Sequence, residues 1–187
     1  MISAVLLPLV MLLYAGETSG SNVPQKSNVE SRIQLEKNIR HELIMLPYYT
    51  VFDDLQFQIE DGDTVILSGK VVWPLLKDDA EDAVKDVKGV RKVINNIEIL
   101  PPRPFDNDIR RREFYAIYSQ IGFEKYAIQA VPPIHIIVDN GNVTLKGVVV
   151  DEYDKNAAGL VANSIPNVFK VTNDLRVLKE EKHSTRK

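Results

Sequence analysis

The chain uses one short stretch twice. Thr64-Val65-Ile66-Leu67-Ser68-Gly69-Lys70-Val71 returns 78 residues later as Asn142-Val143-Thr144-Leu145-Lys146-Gly147-Val148-Val149. Slid by that offset without a gap, Ile59 to Leu100 meets Ile137 to Leu178, and 14 of the 42 aligned positions are identical. The identities include Ile59, Asp61, Val65, Leu67, Gly69, Val71, Ala80, Val93 and Asn95, each with its partner. A match of this length over one supersecondary unit means two copies of a small module, which leaves little room for a single large enzyme domain. The 187 residues suit two such modules with short flanks.

The hydrophobic pattern gives each copy the order α-β-β-α-β. In the first, Leu35, Ile39, Leu43 and Leu46 recur at helical spacing after the capping-box pattern Ser31-Arg32-Ile33-Gln34, and Pro47 stops the run. Leu55 to Ile59 alternates as a strand, and Asp61-Gly62 is a hairpin turn signal. The next strand sets Val65, Leu67, Gly69 and Val71 on one inward face, where Gly69 lets another backbone or helix come close. Ala80, Val84 and Val87 predict a second helix with Gly89 at its C′ position, and Val93 to Leu100 predicts the last strand. In the second copy Asp108 is a helix cap before a buried stripe of Phe114, Ile117 and Ile121, with Gly122 after the end. A strand over 134–138, the Asn140-Gly141 turn, a strand over 143–150 with Gly147 inward, a helix on Ala158, Ala162 and Ile165, and a strand over 169–178 complete it. The fold class expected is α+β: two tandem α-β-β-α-β modules, each a small three-stranded sheet packed against two helices.

The flanks read differently. Residues 1–20 form a signal-like apolar segment, its run of about fifteen residues too short for a span of ~20. Its basic n-region is missing, and Thr18-Ser19-Gly20 is the best cleavage site. Residues 21–32 are polar and read as a disordered tether. The first module covers 33–100, a Pro-rich linker 101–108, the second module 109–178, and a charged tail expected to fray 179–187. Pro101-Pro102-Arg103-Pro104 favours an extended spacer and a fixed relation between the copies.

Charge and composition narrow the function classes. Residues 33–100 carry 13 acidic and 8 basic side chains, whereas 103–187 carry 11 and 13. Neither half has the basic excess of a nucleic-acid binder. The absence of cysteine excludes disulfides, thiolate catalysis, Cys-ligated zinc and an acylated Cys anchor. His41, His135 and His183 share no spacing that binds one metal. Asp61-Gly62-Asp63 begins like a calcium loop that nothing completes, and a hairpin turn explains it better. Ser68-Gly69-Lys70 lacks the context of a phosphate loop. Asp53-Asp54 and Asp78-Asp79 have no accompanying nucleophile or base, so solvated loop and helix-start roles are expected of them. The reading is of a non-enzyme with no catalytic residue, no metal and no cofactor.

The duplicated hairpin, with its inward Gly69 or Gly147 followed by a short helix, resembles the BON-domain family. Val90-Arg91-Lys92-Val93-Ile94-Asn95-Asn96 and Val168-Phe169-Lys170-Val171-Thr172-Asn173-Asp174 add a closing V-x-x-V-x-N pattern. The resemblance covers about Ile33 to Leu178. It implies export to the bacterial periplasm and a non-enzymatic role at phospholipid surfaces or in envelope integrity.

One surface stands out. Arg110, Arg111 and Arg112 precede Phe114, Tyr115 and Tyr118 on the first helix of the second copy. With Phe114, Ile117 and Ile121 inward, Arg111, Tyr115 and Tyr118 line one flank. Guanidinium groups beside tyrosines suit an anionic phospholipid headgroup layer, where each basic residue adds ~1 kcal/mol. The other reading has solvated arginines and tyrosines covering the sheet edge. Two roles are open to Trp73, which follows a strand where the second copy has Asp151: an exposed contact, or packing between the copies. The leading partner is an anionic phospholipid surface, with envelope proteins next and nucleic acid excluded. The alternative function is protein binding or holdase action through open sheet edges.

Overall fold

A computed structural model describes residues 25–60 and 63–178. The apolar segment, the start of the tether, the Asp61-Gly62 turn and the charged tail lie outside the described residues. The first module runs α1 (Gln25–Ile44), β1 (Asp54–Glu60), β2 (Thr64–Val71), α2 (Pro74–Lys85), β3 (Lys92–Asn95) and β4 (Glu98–Ile99). The second runs α3 (Pro104–Tyr118), α4 (Glu124–Ala127), β5 (Ile134–Asp139), β6 (Asn142–Val149), α5 (Glu152–Asn163), β7 (Lys170–Asn173) and β8 (Arg176–Val177).

In each module the glycine-bearing strand is central. It pairs antiparallel with the strand before it and parallel with the interrupted strand after it. The interruption has a side-chain cause. Asn95 donates to the Lys77 carbonyl (2.9 Å) and accepts from the Ile97 N–H (3.1 Å). Asn173 does the same with Lys155 (2.7 Å) and Leu175 (3.3 Å). The repeated Asn thus ties the second helix to the sheet and turns Ile97 or Leu175 into the core, each 1% exposed. The predicted single third strand is therefore two short ones.

The inward faces are as the alternation predicts: Val65, Leu67 and Val71, and Val143, Leu145 and Val149, are buried. Gly69 and Gly147 have φ of +115° and +114°, and each is met by a backbone carbonyl at the start of the neighbouring strand, that of Asp54 in β1 or of Pro133 just before β5. Asn140 and Gly141, with φ of 53° and 70°, make the expected two-residue turn.

That turn corrects the gapless alignment. Three residues separate the paired Glu60 and Thr64, but only two separate Asp139 and Asn142. The first strands are therefore offset by 79 residues: Leu55 faces Gly69 as Ile134 faces Gly147. The matches of Ile59 with Ile137 and Asp61 with Asp139 are coincidental.

Helix ends also differ from expectation. α1 begins at Gln25, inside the stretch assigned to a tether, so Ser31 lies within the helix and not at its start. α3 begins at Pro104, within the stretch assigned to the linker, because proline at the first helical position has no N–H to leave unpaired. Asp108 is thus inside the helix. Gly89 lies beyond the C-cap Asp86, and Gly122 beyond Ser119. α4 has no counterpart among the described residues of the first module: Phe123 and Tyr126 plug the core, and the Tyr126 hydroxyl donates to Asp154 (2.5 Å). Ile121, expected inward, is 96% exposed.

Candidate functional site

The buried stripe of α3 is Asp106, Ile109, Arg110, Glu113 and Ile117. It is rotated from the stripe expected, and this breaks up the arginine cluster. Arg110 is 3% exposed and donates to the Val138 carbonyl (2.6 Å) and to Asn107 Oδ1 (2.5 Å). Burial pulls its pKa down, opposed by the charges of Asp106, Asp53 and Asp139. Asp106 accepts from the Asn140 and Gly141 N–H groups (3.1 and 2.8 Å) and so holds the β5–β6 turn. Tyr118 is half-buried and donates to the Ile134 carbonyl (2.7 Å); burial raises its pKa. Arg110 and Tyr118 are therefore anchors of α3 on β5, not surface groups. Arg111 and Arg112 remain exposed, both paired with Asp108 (3.2 and 2.7 Å). Tyr115 shares their outer face and is 67% exposed. Trp73 is 59% exposed at the N-cap of α2, so packing between the copies is set aside. At the equivalent position Asp151 caps α5 through the Asp154 N–H (2.8 Å).

A second region is built around Asp53 and Asp54, for which the expected roles are solvated ones. Val51–Asp53 leaves the first module and lies against the free edge of β5. The Ile136 N–H donates to the Val51 carbonyl (2.7 Å), and His135 Nδ1 lies 2.6 Å from the Asp53 carbonyl, so this nitrogen carries the proton. Burial holds the His135 pKa below its usual value. Phe52 packs edge-on against Phe114 of α3 (6.2 Å), and Tyr49 stacks on His135 (5.6 Å). Ion pairs Lys146–Asp54 (2.7 Å) and Lys70–Asp139 (3.1 Å) also join the modules.

Asp53, fully buried, organises this strap. It accepts from the Thr50 N–H (3.0 Å), the Thr50 hydroxyl (2.8 Å) and the Val72 N–H (2.7 Å). The apolar pair Val51-Phe52 inside a loop was the sequence signal for the strap. Asp53→Ala orphans two part-buried backbone donors, and should cost about 2 kcal/mol. Urea unfolding would register that loss, and amide exchange at Ile136 should accelerate with it.

Among the described residues, no such strap lies on the edge of β1. This edge opens into a groove of about 830 Å³ between the modules, lined in part by Arg40, Tyr49, Leu55, Phe57, Val131 and Arg176. Among the described residues no group of His, Asp and Glu could hold a metal ion, and no helix is long and apolar enough to cross a membrane.

The BON domain family profile matches residues 26–101 and 116–179, the second match starting near the end of α3. No curated protein sequence matches. Two solved structures of CdsD, a structural protein of the type III secretion system of Chlamydia trachomatis, are similar at 14% identity over 79% of this chain. One, the C-terminal domain, is covered over 98% of its length with a TM-score of 0.31; the other is covered over 94% with a TM-score of 0.32. Two matched regions spanning most of the chain, on two modules of one topology, place this protein in the BON-domain family.

Proposed function

We propose that this protein is a non-enzymatic, exported envelope protein whose second module touches anionic phospholipid surfaces. The observation that carries this reading is the outer face of α3, where Arg111, Arg112 and Tyr115 are exposed together on a helix clamped to β5 by Arg110 and Tyr118. A rigid helix loses little freedom on docking, and an exposed tyrosine is suited to the headgroup layer. Two arginines supply ~1 kcal/mol each, and Asp108 offsets part of that, so the contact is weak, reversible and sensitive to salt. Trp73, exposed beside Leu75, is a further apolar contact point on the first module.

The test leaves Arg110 alone, because charge reversal there would bury an unpaired carboxylate. Arg111→Glu with Arg112→Glu should abolish sedimentation with anionic vesicles and change unfolding stability by no more than about 0.5 kcal/mol, as expected for exposed sites. Asp108→Asn should strengthen sedimentation by freeing both arginines. Unchanged sedimentation in the double variant would rule out this face.

A further inference from the structure

We infer that the open edge of β1 is a binding site for an extended peptide segment of another protein, one carrying an acidic residue directly after the residue whose carbonyl docks. The template lies within the molecule. At the equivalent edge in the second module, the Ile136 N–H takes the Val51 carbonyl, and the next side chain, Phe52, meets Phe114 on the preceding helix.

The two edges correspond residue for residue. Leu55 and Ile134 both face the inward glycine, so Phe57 is the counterpart of Ile136. Each edge has a tyrosine hydroxyl at its first backbone group: Tyr118 accepts from the Ile134 N–H (3.2 Å), and Tyr49 is bonded to the Leu55 backbone. At the far end of β1, Arg32 donates to the Ile59 carbonyl (2.5 Å), so the groups of alternate residues 55, 57 and 59 point away from β2. Between these two capped positions the Phe57 N–H faces the groove, as the Ile136 N–H faces the strap.

The helices correspond as well. Leu35, Ile39 and Leu43 fill the places of Ile109, Glu113 and Ile117 in the buried stripes, which sets Arg40 where the second module has Phe114. Arg40 is exposed and lies over the Phe57 ring, 5.5 Å from its centroid. It has no ion-pair partner among the described residues. Where Phe114 receives an aromatic side chain, Arg40 therefore receives a carboxylate. Strand addition supplies the backbone contact and Arg40 the side-chain preference. The segment of the second module equivalent to Val51–Asp53 is Ala130–Pro132, which makes no hydrogen bond to β1 among the described residues, so the edge stays open.

This site is separate from the outer face of α3, so the two readings fail independently. The experiment is amide NMR titration of the full chain with the capped peptides Thr-Val-Glu-Ser-Ser and Thr-Val-Lys-Ser-Ser. The Phe57 amide should shift with the glutamate peptide while Ile136 stays still, and the lysine peptide should bind at least about tenfold more weakly. Arg40→Glu should invert that order, and the variant Arg111→Glu with Arg112→Glu should bind like the wild type. No shift at Phe57 with millimolar peptide, equal response to both peptides, or movement of Ile136 through displacement of the strap would each overturn the proposal.

Discussion

Glu113→Ile is expected to stabilise the protein, and to do so increasingly as pH rises. Glu113 is fully buried at the position that Ile39 fills in the first module, and neither carboxyl oxygen has a hydrogen-bond partner. Arg110, one turn earlier, is directed at Val138 and Asn107, and no ion pair joins the two. Burial raises the Glu113 pKa from 4.5 to about 8. The neutral acid is therefore the folded form across the neutral range. Below pH 4.5 both folded and unfolded chains hold the proton and there is no ionisation penalty. Between 4.5 and 8 the unfolded chain releases it and the folded chain does not, so stability falls by about 1.4 kcal/mol per pH unit. By pH 8 the loss is on the order of 4–5 kcal/mol. Isoleucine removes this slope and the cost of the unsatisfied acid. The thermal midpoint of the variant should exceed that of the wild type by about 10 °C at pH 8 and by far less at pH 5. Glu113→Gln serves as the control: it removes the slope while keeping an unsatisfied polar group in the core. A wild type and Ile variant running parallel with pH would show that Glu113 finds a partner.

Gly147→Ala should be the most damaging small substitution. A Cβ there would overlap the Pro133 carbonyl oxygen, which is backbone and cannot rotate aside, and the φ of +114° already disfavours any L side chain. Relief requires parting β5 from β6 at the residue where Ile134 enters the core. We expect a loss of about 3 kcal/mol or more by urea unfolding. Gly69→Ala meets the Asp54 carbonyl in the same way, and adds a disturbance of the Asp54–Lys146 pair between the modules. Gly122→Ala is the matching control. Its φ is +89°, but nothing lies within 4 Å of the added carbon, so it should cost only the backbone strain, about 1 kcal/mol. Equal losses at Gly147 and Gly122 would mean that close approach is not what places glycine on the central strands.

Most of the fold could be read from local pattern because the inward faces of β2, β6 and α2 are apolar and repeat, and that of α5 departs from them only at Asp154. Gly69 and Gly147 were legible for the same reason, since a glycine on an inward strand position has few uses besides close approach. The offset of the first strands was hidden by chance identities at Ile59 and Asp61 that masked a hairpin one residue shorter. The candidate site is less legible because polar residues on a helix suggest exposure. Arg110, Asp106 and Glu113 face inward; the Val138 carbonyl and the turn amides give the first two partners that no helical period reveals, and Glu113 has none. The strap at Asp53 could not be read as an anchor, because its value comes from Val72, 19 residues away, and from the other module.

The central proposal is that α3 presents a lipid-facing surface. The most direct measurement is sedimentation of the chain from Ser21 onward, without the apolar segment, with anionic and with neutral vesicles at low and high salt. Binding to anionic vesicles alone, lost at high salt and lost in the variant Arg111→Glu with Arg112→Glu, is the result expected. Equal binding to both vesicle types, or none under any condition, would contradict it.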